Sequence, residues 1–201
     1  MRMPSLVAAM SLVALVACKK DTGNTADSAR FADSAKAAAP APAPAAAPLT
    51  DANIAALLDE ANAADSASGK IASTRGTNAD VKAFGVLMMR DHHALRKAGQ
   101  DLVTRLKVTP TPPPNDSFPM KGQKIADSLN ATPKGAFDKT YIGEEVAVHQ
   151  QVLGLLDQFD AAAQAPELKD LLKKARPSIE MHLKRAQDIQ SRLAADSTKK
   201  N

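Results

Sequence analysis

The chain is short of most features that announce a catalytic or disulfide-built domain. Its 201 residues include no tryptophan, one tyrosine and five phenylalanines, so a core must come from Leu, Ile, Val, Met and Ala, side chains that suit close helix packing. One cysteine excludes an intrachain disulfide. There is no Gly-rich phosphate loop, no Gly-x-Ser-x-Gly elbow and no cysteine placed to act as a nucleophile. Charge of one sign is lacking too: 26 basic and 22 acidic residues leave a net +4 and are interspersed along the chain. A nucleic-acid binder gathers its basic residues on one face, beside exposed aromatics, so nucleic acid is not expected as a partner. No apolar run reaches the roughly 20 residues a membrane-spanning helix needs.

The longest such run, residues 5–17, has 13 residues and follows Arg2. A short positive segment followed by an apolar stretch of this length fits a secretory signal. The stretch ends in Leu15-Val16-Ala17-Cys18, which resembles the lipobox of bacterial lipoproteins. The resemblance implies that residues 1–17 are a lipoprotein signal peptide and that Cys18 is lipidated and becomes the first residue. Several acyl chains on one cysteine anchor stably, where a single chain binds only marginally. Lys19, where an Asp would favour the inner membrane, implies the outer membrane of the bacterial cell envelope, facing the periplasm. Residues 18–49 then read as a tether, because alternating Ala and Pro over residues 39–48 favours an extended polyproline-like chain with nothing to bury.

From residue 50 the pattern turns helical. Thr50 or Asp51 is a plausible N-cap for a first helix reaching about residue 74, which Gly76 closes. Asn78 caps a second helix running to about residue 107. Pro110, Pro112, Pro113, Pro114 and Pro119 exclude a helix through that stretch, with a short helical piece expected at 120–130. Pro133 opens a third helix reaching about residue 164, and Pro166 a fourth ending near residue 195, before a polar tail over 196–201. Pro177 predicts a kink or local break in the fourth. The apolar stripes advance by alternating steps of four and three, as in Leu168, Leu172, Ala175, Ile179, His182, Ala186, Ile189 and Leu193. Such steps describe near-parallel helices in a left-handed four-helix bundle over residues 50–195. The fold class is all-α.

Each stripe holds one ionisable residue: Asp65, His92, His149 and His182. His149 and His182 stand about equally far from the turn at residue 165, so an antiparallel pair brings them to one depth. The segment from Asn53 to Leu193 resembles the domain of unknown function 4142 family, a ferritin-like family of bacterial envelope proteins. The resemblance rests on Gly69-Lys70, on MMRDHHALRKA at 88–98, on AFDKTYIGEEVAVHQQVL at 136–153 and on MHLKRA at 181–186. It implies a ferritin-like four-helix bundle, with the long Pro-rich connection between helices two and three crossing its length. It implies no established activity.

Two readings of the layer stay open. Imidazole suits Fe, Zn and Cu, so His92, His149 and His182 with Asp65 or Glu145 could hold one transition metal, Glu145 lying one helical turn before His149. Asp91, beside His92, could orient a neighbouring imidazole from outside the ligand set. A ferritin-type di-iron centre is disfavoured, because Met89, Val146 and Ile179 stand three residues before the histidines where Glu-x-x-His is needed. The other reading, and the favoured one, is a hydrogen-bonded polar layer that fixes helix register, since three histidines and a carboxylate can satisfy one another without metal. His93 lies off the stripe and is expected in solvent; Met88, Met89, Met120 and Met181 are expected as core filler rather than copper ligands. The expected function is that of a lipid-anchored envelope protein, non-catalytic and structural, stress-related or partner-binding, or alternatively a metal-binding or redox protein. Its expected partner is the membrane through Cys18. Replacing Cys18 with Ser should abolish fatty-acid labelling and leave unprocessed precursor in whole cells. Normal membrane retention of that variant would refute the anchor.

Overall fold

A computed structural model describes residues 48–198, with side chains to residue 196. Cys18, the signal segment and nearly all of the tether lie outside these residues. The described chain is all-helical: α1 (Asp51–Arg75), α2 (Ala79–Leu106), α3 (Phe118–Ala131), α4 (Lys134–Ala162) and α5 (Pro166–Thr198).

Local chemistry sets the boundaries. Thr50 and Asn53 form a reciprocal capping box, the Thr50 hydroxyl accepting from the Asn53 N–H and the Asn53 side chain accepting from the Thr50 N–H. Asn78 caps α2 by accepting from the N–H groups of Asp80 and Val81. α2 ends where Lys107 turns left-handed, at φ 55°. Three expectations need correction. The segment expected at 120–130 is a 14-residue fifth helix, so four helices do not make up the chain. It includes Pro119 in its first turn, where a missing N–H removes no intrahelical bond. Pro177 does not break α5, which runs unbroken and continues to Thr198, past the expected end at 195. Pro177 and Lys173, whose carbonyl loses its donor, are both exposed, so solvent can satisfy that carbonyl.

α1 packs chiefly on α2 and α4 on α5, with α2 against α5, α1 against α4, and α3 laid along α1. Two apolar clusters result. One gathers Phe84, Met88, Leu129, Phe137, Tyr141 and Ile142; the other gathers Ile54, Leu102, Leu156, Phe159, Leu168 and Leu172. On α2, α4 and α5 the stripe histidine falls in sequence between members of the two clusters.

Two carboxylates tie the hairpins together. Asp51 accepts from the backbone N–H groups of Gln164 and Ala165, at 2.8 and 2.9 Å, in the α4–α5 turn. Asp138 accepts from those of Thr77 and Asn78, at 2.9 and 2.8 Å, and from the Thr77 hydroxyl, in the α1–α2 turn. α1 and α2 also cross at two glycines. A methyl on Gly85 would sit 2.6 Å from the Gly69 carbonyl oxygen, and one on Gly69 would sit 2.7 Å from that of Gly85. Neither backbone can yield without separating the helices. Gly85→Ala should therefore lower unfolding free energy by about 1–3 kcal/mol, the usual cost of overpacking, in urea titrations; unchanged stability would show that the crossing is not tight.

Candidate metal centre

His92, His149 and His182 come together between the two apolar clusters. Their ring centroids form a near-equilateral triangle, with separations of 5.6 Å (His92–His149), 5.2 Å (His92–His182) and 5.5 Å (His149–His182). All three are at most 1% exposed. One ring nitrogen from each lies within 4.8 Å of one from each of the others.

The partners of each ring fix its tautomer. His92 Nδ1 lies 2.9 Å from Asn62 Oδ1, and the Asn62 amide donates to the Leu58 carbonyl at 2.7 Å, so the oxygen faces the ring and His92 Nδ1–H donates to it. His149 Nδ1 lies 2.8 Å from the Glu145 carbonyl oxygen, which can only accept. His182 Nε2 lies 3.0 Å from Asp91 Oδ2 and donates to that carboxylate. The remaining nitrogens, His92 Nε2, His149 Nε2 and His182 Nδ1, are buried without a hydrogen-bond partner. Each carries a lone pair.

The sequence-predicted residues are distributed around this triangle. Asp91 holds a neighbouring imidazole, that of His182, and is itself held by Arg90 at 2.7 Å. Asp65 and Glu145 are buried in the same layer but stand behind the rings: Asp65 Oδ2 is 3.6 Å from His92 Nδ1 and Glu145 Oε2 is 3.5 Å from His149 Nδ1. Neither belongs to the group whose ligand atoms converge. His93 is exposed. Met88 is core, whereas Met120 and Met181, expected to fill core, are largely exposed. Sequence reasoning missed Asn62, although it precedes Asp65 by about one helical turn, and Tyr141, which is fully buried beside Glu145 on the preceding turn of α4.

The chain matches the family described as Domain of unknown function (DUF4142) over residues 34–189, a stretch that begins within the segment read as tether. No curated protein and no solved structure matches it.

Burial dominates the protonation of the layer. It pushes His92 well below its ordinary value, helped by its two histidine neighbours, and lowers His149 to about 4. It also lowers His182, against the pull of Asp91. Burial raises Asp65 to about 7 and, with the nearby Asp65, raises Glu145 well above the carboxylate range. The two classes act oppositely on stability. His149, near 6.5 when unfolded, contributes stability that is present above that value and lost as pH falls through about 4. Asp65, near 3.9 when unfolded, contributes stability that is present below that value and lost as pH rises through about 7. Asp65→Asn, isosteric with the neutral acid, should melt with the parent near pH 4. At pH 8, in chelator, it should melt at least about 3 °C higher. Parallel melting curves from pH 4 to pH 8 would show that Asp65 is not held as the acid.

Proposed function

The chain belongs to the DUF4142 family, whose description assigns no activity, and we propose that it is a lipid-anchored envelope protein whose helical domain holds one transition-metal ion on His92, His149 and His182. The observation that carries this reading is the set of three buried lone pairs that face one another with no donor between them. Lone pairs so placed repel, and each buried unpaired acceptor costs about 1–3 kcal/mol. A cation satisfies all three together. The register-fixing layer is supported by the hydrogen bonds to Asn62, the Glu145 carbonyl and Asp91, but it leaves the facing nitrogens unexplained.

The donor set is chemically apt. Neutral imidazole suits Zn, Cu and Fe. A tetrahedral ion with metal–nitrogen bonds of about 2.0–2.1 Å sets its ligands some 3.3 Å apart, so the rings would draw together around it, from nitrogen separations of up to 4.8 Å. Three protein ligands leave a fourth position for water or a small ligand. The hydrogen bonds on the far nitrogens fix ring orientation in the way outer partners of metal-bound histidines do. Four long helices, with α3 in the crossover, fit a ferritin-like bundle that supplies ligands from α2, α4 and α5. The lipobox-like Leu15-Val16-Ala17-Cys18, Lys19 and the Ala/Pro tether support attachment to the outer membrane facing the periplasm.

Titration of the purified full chain with Zn²⁺, Co²⁺, Cu²⁺ and Fe²⁺ should reveal one equivalent of at least one bound ion. At a free concentration of 100 Kd the ion should add about 2.7 kcal/mol of stability. Asp91→Ala should weaken binding by about 10–100-fold while His182 remains in place. No stoichiometric binding of any of the four, with melting unchanged, would overturn the proposal.

A further inference from the structure

A ligand set buried this deeply needs a way in, and the helix packing leaves one seam. α3 lies along α1 but barely touches α4. Its buried residue is Leu129, near its C-terminal end. There the Arg75 guanidinium donates to the Leu129 and Thr132 carbonyls and lies over the Phe137 ring, pinning that end to the body of the fold. The N-terminal half of α3 is held by packing instead, Phe118 against the second apolar cluster and Gly122 close to Ala64 Cβ.

Under α3 lies a cavity of about 70 Å³ between α1, α3 and α4. Exposed Lys121 and Gln151 line its outer part, and Asp65, Tyr141 and Glu145 line its inner part. No histidine lines it. The two carboxylates therefore stand between the cavity and the rings, within 3.6 Å of His92 and 3.5 Å of His149. Glu145 Oε2 is buried without a hydrogen-bond partner. The cavity has room for several waters or for a hydrated ion. The larger groove of about 370 Å³ between α1, α2 and α5 touches Asn62 but neither Asp65 nor Glu145.

We infer that the α3–α4 seam is the port through which a divalent cation reaches the histidines. Asp65 and Glu145 are its receiving station, replacing the ion's lost water with carboxylate oxygen before the imidazoles take it. This rests on the metal-holding reading. Val148→Phe narrows the cavity from α4 and Gly122→Val narrows it from α3, where a methyl would already meet Ala64 Cβ at 3.0 Å. Gly99→Leu, whose position has open space around it, fills the larger groove instead.

Tyr141 is the only tyrosine in a chain without tryptophan, so intrinsic fluorescence reports on this cavity. In stopped-flow mixing of the full chain with Cu²⁺, both narrowing variants should load at least tenfold more slowly, with the equilibrium Kd within threefold of the parent. Gly99→Leu should load at the parental rate. Collisional quenching of Tyr141 by Cs⁺, which needs no histidine ligand, should fall at least fivefold in both narrowing variants whose helicity matches the parent. Failure of the parent to take up Cu²⁺ would count against copper as the ion held, and the Cs⁺ result would still judge the port. Parental loading rates in the narrowing variants, slowing by Gly99→Leu, or equal Cs⁺ quenching throughout would overturn the port and leave the metal-holding reading standing.

Discussion

Register between the two helical hairpins is the constraint on which the rest of the molecule depends. Asp51, at the start of α1, grips the α4–α5 turn, and Asp138, near the start of α4, grips the α1–α2 turn. Each carboxylate accepts two backbone N–H groups of a turn that is only partly buried, and charge-assisted bonds of this kind are among the stronger ones. Together they fix the sliding of one hairpin past the other from opposite ends. A slip of one helical turn is 5.4 Å, as large as the spacing between the imidazole centroids. Such a slip would dissolve the triangle altogether. The Gly69–Gly85 crossing completes the constraint by setting how near α1, with Asn62 and Asp65, comes to α2 and His92.

Within that frame the polar layer is organised by burial rather than by ion pairing. Histidines and carboxylates lie within 3.6 Å of one another, and at an exposed site such pairs would share charge. Here desolvation lowers the histidines and raises Asp65 and Glu145, so the neutral forms of both classes are favoured. Asp91 differs. Burial pushes it up as well, but hydrogen bonds from Arg90 and His182 more than offset this and hold it below its ordinary value. Its side chain is 20% exposed, and solvent helps keep the one charge the layer retains. That charge orients His182 from outside and leaves the facing nitrogens neutral.

Much of this was legible because helical periodicity reports burial. The four-and-three steps located the four long helices and set the three histidines at one depth, since those steps mark the only faces apolar enough to go inward. Asp91 was legible as an orienting group because residues adjacent on a helix point to neighbouring partners. Other features were not legible. α3 was legible as a short piece at 120–130, but not its start at Phe118 through Pro119, nor its packing along α1. The i, i+4 spacing of Glu145 and His149 brings them together but does not say which ring nitrogen they share. A helical side chain leans toward the turn that precedes it, so the carbonyl of that turn, rather than the carboxylate, takes His149 Nδ1–H. Asn62 gave no signal of its own, because a single amide on a mixed stripe looks like any surface residue until His92 is opposite it.

The opposing protonation states also determine what a cation would do on arrival. A neutral layer offers three lone pairs without attracting an ion over any distance, which gives selectivity for ligand type without strong electrostatic pull. A divalent ion arriving at Asp65 and Glu145, and then at the imidazoles, would reverse the balance that burial imposed on the two acids, since a nearby cation favours the charged carboxylate. The protons these acids hold would then be released as the ion binds, and the carboxylates left behind would balance its two positive charges. Apart from Asp91, the resting layer is thus neutral without metal and would be close to neutral with it. The same two apolar clusters that enclose the site can therefore tolerate both states without unfolding around a buried net charge.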